Sequence, residues 1–164
     1  MSALSIALRA MEKLSPARTA NAHCDIPCGI YDPHQAQIAA HTVVRMVNLI
    51  EDLGDATDTE ARNKLVRYIA VKEEHAELAK KELRILWGDY FRPEHLEQHP
   101  NLHSLFFTAM KQGSAARQSV SVDNAQALVS TVQEIAEIFW ATKGAETARQ
   151  PSRQTSGGEI VYPA

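Results

Sequence analysis

The sequence predicts an all-α protein, an up-down four-helix bundle. Three observations carry this: four segments with apolar residues alternately three and four apart, short connections marked by capping residues, glycine and proline, and no stretch with the period of two that a strand needs.

Taken in order, a first helix is expected from about Pro33 to Leu53, started by Asp32-Pro33 and stopped by Gly54. Its stripe is Ala39, Val43, Met46, Ile50 and Leu53. Thr57 and Glu60 have capping-box spacing and open a second helix to about Trp87, with the stripe Leu65, Ile69, Lys72, Ala76, Ala79, Leu83 and Leu86. Lys72 is the odd member, expected to snorkel outward rather than to pair with a buried carboxylate. Gly88 and Pro93 bracket a turn. A shorter third helix carries Leu102, Leu105, Phe106, Ala109 and Met110 and is closed by Gly113; a fourth runs from about Ser121 to Lys143 on Leu128, Val132, Ile135 and Phe139. Residues 144–164 turn to Gln, Ser, Thr, Arg, Gly and Pro, the composition of a disordered tail.

Composition narrows the function classes. With 45% hydrophobic and 23% charged residues in 164, the chain is sized for one domain with a core. A net charge of -3 recruits neither nucleic acid nor an anionic membrane, and no apolar run approaches the roughly 18 residues of a bilayer span. The two cysteines, Cys24 and Cys28, are too close together to staple a fold.

Residues 1–22 read as a removable propeptide. They end in Ala20-Asn21-Ala22, a small-x-small pattern suited to cleavage. The poor signal-type apolar core and the unpaired thiols favour the cytoplasm, with secretion the alternative.

Residues 23–32 form a hook ahead of the bundle, which spans 33–143. Once His23 is the first residue, its α-amine, the Cys24 backbone nitrogen and the thiolates of Cys24 and Cys28 make a planar two-nitrogen, two-sulfur set, and the His23 imidazole can approach axially. Planar coordination of this kind suits Ni(II) or Cu(II), not tetrahedral zinc. Electron-rich thiolate and amide donors bring a higher nickel oxidation state within reach. Pro27 turns the backbone between the cysteines, and Gly29 permits a tight reversal after them.

The run His23-Cys24-Asp25-Ile26-Pro27-Cys28-Gly29-Ile30-Tyr31 resembles the nickel hook of the nickel-containing superoxide dismutases. The likeness continues through residues 72–80, 86–91 and 138–143. The resemblance implies one nickel ion per subunit bound by His23, Cys24 and Cys28, cycling between Ni(II) and Ni(III) to convert superoxide to oxygen and hydrogen peroxide. It also implies a homohexamer of four-helix bundles and a maturation protease that removes the extension. Tyr31 and Tyr90 match two tyrosines that limit access to the metal, and Asp25 a residue that pins the loop.

Two positions depart from the family pattern. A glutamate that bonds the axial histidine and its arginine partner are replaced by Ala39 and His75. Changing both avoids a lone buried charge, and His41 or His75 are the candidates to orient the imidazole in their place. A rival reading keeps the same hook but makes the protein a nickel or copper carrier or store. His95, His99 and His103 recur at helical spacing, yet Pro100 breaks that run, so solvated or capping roles are expected for them. Trp87, Phe139 and Trp140 are expected in the core or at a subunit interface.

Overall fold

The structure is a computed structural model, and it describes residues 29–164. The propeptide and the hook residues His23, Cys24, Asp25, Pro27 and Cys28 lie outside the described residues.

Helices α1 (His34–Leu53), α2 (Thr59–Ile85), α4 (Leu102–Gln118) and α5 (Val122–Thr142) form the bundle, with a short α3 (Pro93–Gln98) before α4. Around the bundle, α1 packs on α2, α2 on α4, α4 on α5, and α5 back on α1. The starts follow local chemistry. The Asp32 carboxylate accepts from the His34 amide at 2.6 Å, Asp58 from Ala61 at 2.8 Å, and Ser121 from Asn124 at 3.2 Å. The cap of α2 is therefore Asp58, not the expected Thr57, and Gly54 caps α1.

The core stripe of α4 is Leu102, Phe106, Ala109, Gly113 and Ala116, spaced alternately four and three. Gly113 does not close this helix as expected. It sits inside, where a Cβ would meet the Lys80 side chain at 2.7 Å, so its missing side chain lets α2 approach α4. On α1 the buried set is Ala36, Ala40, Val43, Val44 and Val47 with Ala39, while Met46, Ile50 and Leu53 are only half-buried. The seam is rotated toward Ala36 and Val47 from its expected line.

Lys72 neither snorkels nor finds a carboxylate. It is 2% exposed, and its ammonium donates to the carbonyls of Ala116, Arg117 and Ser119 at 2.8, 2.6 and 2.7 Å. It satisfies carbonyls left over where α4 ends, and burial lowers its pKa from the ordinary lysine value.

The tail expected to be disordered is instead folded from Thr147 onward. Strands β1 (Thr147–Pro151) and β2 (Glu159–Pro163) pair antiparallel, with Arg149 opposite Val161. Polar composition concealed a docking segment: Ile160 and Val161 are buried against α1 and α5. Gln37 holds both backbone groups of Val161, accepting from its N–H at 2.8 Å and donating to its carbonyl at 3.1 Å. Gln133 donates to the Glu159 carbonyl, and Arg149 reaches Glu137 at 2.6 Å.

Candidate metal centre and its approaches

Where α2 ends, the backbone widens into a π-helical turn over Leu86–Tyr90, closed by the Phe91 amide on the Leu86 carbonyl at 3.0 Å. Such turns re-aim side chains. This one turns Tyr90 toward the segment entering α1, where its ring lies 5.5 Å from that of Tyr31, the planes tilted by 54°. Tyr90 also packs on Phe139 at 4.5 Å and on His95 at 5.7 Å.

The Tyr90 hydroxyl is 2.7 Å from the Thr142 hydroxyl, which donates its own proton to the Phe139 carbonyl at 2.7 Å. A hydroxyl has one proton, so Tyr90 is the donor in this pair. Its oxygen keeps lone pairs for a further partner.

Two recesses meet at Tyr31. One, of about 680 Å³, is lined by Ile30, Tyr31, Asp32, His34, Ala39, His75 and Glu82 among others. The other, of about 300 Å³, is lined by Gly29, Tyr31, Asp89, Tyr90, Arg92, His95 and Lys143. Gly29, with φ of 71°, lines the smaller recess, and the next residue, Ile30, lines the larger. Cys28 directly precedes Gly29 in the sequence.

Of the two replacement candidates, the structure brings only His75 to the larger recess, beside Ala39. The His75 Nδ1 donates to the Val71 carbonyl at 2.9 Å, which leaves Nε2 as an acceptor. His41 is committed elsewhere: it is 4% exposed, its Nε2 donates to the Glu159 carbonyl at 2.9 Å and its Nδ1 lies 3.2 Å from the Ser156 hydroxyl. It holds the hairpin.

His95 takes the capping role, accepting from the Arg92 amide at 3.2 Å, and His103 accepts from the Trp87 indole at 2.9 Å. Phe139 is buried, Trp140 half-buried and Trp87 39% exposed, stacked on Phe106. Sequence reasoning missed Glu82, Thr142 and Lys143. Glu82 had a signal, since His75, Leu78, Glu82 and Ile85 step three, four and three along one face of α2 and all line the larger recess.

Among the described residues no group of three or more His, Cys, Asp or Glu is arranged to hold a metal ion. The candidate donors His23, Cys24 and Cys28 lie outside the described residues. Their side-chain chemistry, two thiols and an imidazole within the six residues from His23 to Cys28, suits nickel.

Comparison with known proteins agrees with this reading. The sequence model of the nickel-containing superoxide dismutases matches residues 18–143. The superoxide dismutase [Ni] of Streptomyces seoulensis is 41% identical over 131 residues, 80% of this chain and 95% of that protein. The superoxide dismutase [Ni] of Streptomyces coelicolor is 40% identical over the same length and coverage. A crystal structure of a Ni-containing superoxide dismutase, with nickel ligation corresponding to the oxidized state, superposes with a TM-score of 0.68 at 41% identity. It covers 75% of this chain and 100% of that one. The hairpin lies beyond the residues that the family model matches. By the matched residues, the identity and the shared helical bundle, the chain belongs to the nickel-containing superoxide dismutase family.

Proposed function

We propose that the chain, trimmed to begin at His23, is a nickel-dependent superoxide dismutase that converts superoxide to oxygen and hydrogen peroxide. The observation that carries this is the placement of Gly29 and Tyr31, directly after Cys28, at a junction walled by Tyr90 and His75.

His23, Cys24 and Cys28 are the residues that hold nickel, with the His23 amine and the Cys24 backbone nitrogen completing the donors. Nickel in this set supplies a one-electron couple, so that one superoxide can be oxidised and another reduced.

The protein's own residues do the rest. Tyr31 and Tyr90 narrow the entrance so that only a small molecule passes. Tyr90, its proton committed to Thr142, presents an acceptor oxygen that orders water at the entrance. His75, its Nδ1 engaged by the Val71 carbonyl, has Nε2 left as the group that would orient the His23 imidazole. Asp25 helps pin the hook, and Pro27 turns it.

Removal of residues 1–22 follows from the donor set, because the amine exists only when His23 is the chain terminus. Assembly into a homohexamer is supported by the apolar surface of Ile30, Trp87 and Phe107, which are 76%, 39% and 61% exposed. The protein acts as a cytoplasmic antioxidant in this reading, consistent with free thiols in a reducing compartment.

Mass spectrometry of the native protein under non-denaturing conditions tests the trimming, the nickel and the assembly together. The expected species begins at His23, carries one nickel per chain and has the mass of six chains. A metal-free species that still retains residues 1–22 and consumes superoxide would overturn the proposal.

A further inference from the structure

The hairpin, which lies beyond the residues that the family model matches, meets two helices of the bundle through one atom. The Glu159 carbonyl of β2 accepts both from the His41 ring on α1, at 2.9 Å, and from the Gln133 amide on α5. Around that atom, Gln37 holds the amide and the carbonyl of Val161, the Tyr162 ring lies 5.7 Å from that of His34, and Arg149 is paired with Glu137. His34, Gln37 and His41 stand three and four apart, on one face of the first turns of α1. The hairpin therefore ties the head of α1 to the second half of α5.

Apolar packing fixes that end of α1 less firmly than the other. Its fully buried apolar residues are Ala36, Ala39 and Ala40, each with a single methyl group to pack, and the larger ones begin at Val43. The two tyrosines are carried by the same two parts of the bundle. Tyr31 stands three residues ahead of His34, while Tyr90 packs on Phe139 at 4.5 Å and donates to Thr142 at 2.7 Å, both near the end of α5. We infer that Gln37 and Tyr162 are positioning residues for the entrance: joined through β2, they set the head of α1 against α5, and so set the Tyr31 ring against that of Tyr90. They act through Tyr31 rather than on the reacting atoms. Only the expected effect on rate rests on the dismutase reading; the ring geometry is tested without it.

The chain trimmed to His23 is labelled with 3-fluorotyrosine at Tyr31, Tyr68, Tyr90 and Tyr162, and its fluorine resonances, assigned by Tyr→Phe substitutions, are read before nickel is added. Gln37→Ala with Tyr162→Ala removes the bonds to Val161 and the ring contact with His34. The Tyr31 and Tyr90 resonances should then shift or broaden, while that of Tyr68 on α2 keeps its place. Tyr162→Phe retains the ring and should leave both where they were. Loaded with nickel to equal content, the double variant should dismute superoxide roughly three- to tenfold more slowly, the scale of a small misplacement remote from the chemistry. Asp58→Ala removes the cap bond to Ala61 and should lower the melting temperature while moving neither ring nor rate. Tyr162→Ala alone carries the test if the double variant does not fold.

Tyr31 and Tyr90 resonances that stay in place without Gln37 and Tyr162, or that Asp58→Ala moves equally, overturn the inference. An unsubstituted protein that binds nickel and leaves superoxide untouched refutes the dismutase reading, and the fluorine resonances still decide the positioning.

Discussion

Tyr31 and Tyr90 stand with their rings 5.5 Å apart, brought together from segments nearly sixty positions apart in the chain. One ring is fixed by the start of α1 and the other by a π-helical turn and the Thr142 hydroxyl. Thr142→Val removes the acceptor for the Tyr90 proton without touching either ring. Dismutation should fall several-fold and stability by about 1 kcal/mol, the net worth of an ordinary hydrogen bond. Thermal unfolding and superoxide decay on the same sample check this; unchanged activity would mean that Tyr90 needs no such anchor.

His75 offers an acceptor to the larger recess through Nε2. His75→Leu should cost about tenfold in nickel retention or activity, the scale seen when a ligand's hydrogen-bonding partner is lost. His75→Gln, which can present a carbonyl oxygen, should recover most of it. Nickel content after dialysis against a chelator is the measurement.

Gln37 satisfies both backbone groups of Val161. Gln37→Ala leaves a buried donor and a buried acceptor open and should destabilise hairpin docking by about 2 kcal/mol or more. Faster amide exchange across Thr147–Pro163, with the bundle helices still protected, is the expected signature.

Glu77 accepts from Arg84 at 2.6 Å and from Arg117 at 3.0 Å. The Arg84 hydrogen bond, opposed by some burial and helped by the charges of Arg84, Lys80 and Arg117, lowers its pKa below the usual carboxylate value. A depressed carboxylate pKa contributes stability above the unfolded value, and that contribution is lost as pH falls through the folded value. These partners are exposed, so the effect is small, about 0.5 kcal/mol. Glu77→Gln should lower the melting temperature slightly at neutral pH, and the difference should vanish in acid.

The bundle was legible in the sequence because its signal is periodic. Stripes such as Ala76, Ala79 and Leu83 on α2 repeat the interval that packing requires. The hairpin was not legible, because its burial rests on two adjacent residues, Ile160 and Val161, and on partners such as Gln37 that are distant in the chain. Lys72 misled for a related reason. Its partners are backbone carbonyls at the end of α4, which carry no side-chain signature. The hook's proposed donors, His23, Cys24 and Cys28, lie outside the described residues, so they rest on their spacing in the sequence and on the family resemblance. The choice of His75 over His41 needed the structure, because only the fold shows which histidine the hairpin already holds.

The central claim is that His23 matters as a chain terminus, joined by two thiolates, in a protein that consumes superoxide. Its most direct test is the catalysed decay of superoxide by equal amounts of the full 164-residue chain and the chain trimmed to His23, each offered one equivalent of nickel. Rapid decay with the trimmed chain alone, abolished by Cys28→Ser, is the predicted result. Equal rates from both chains, or none from a trimmed chain that holds its nickel, would contradict it.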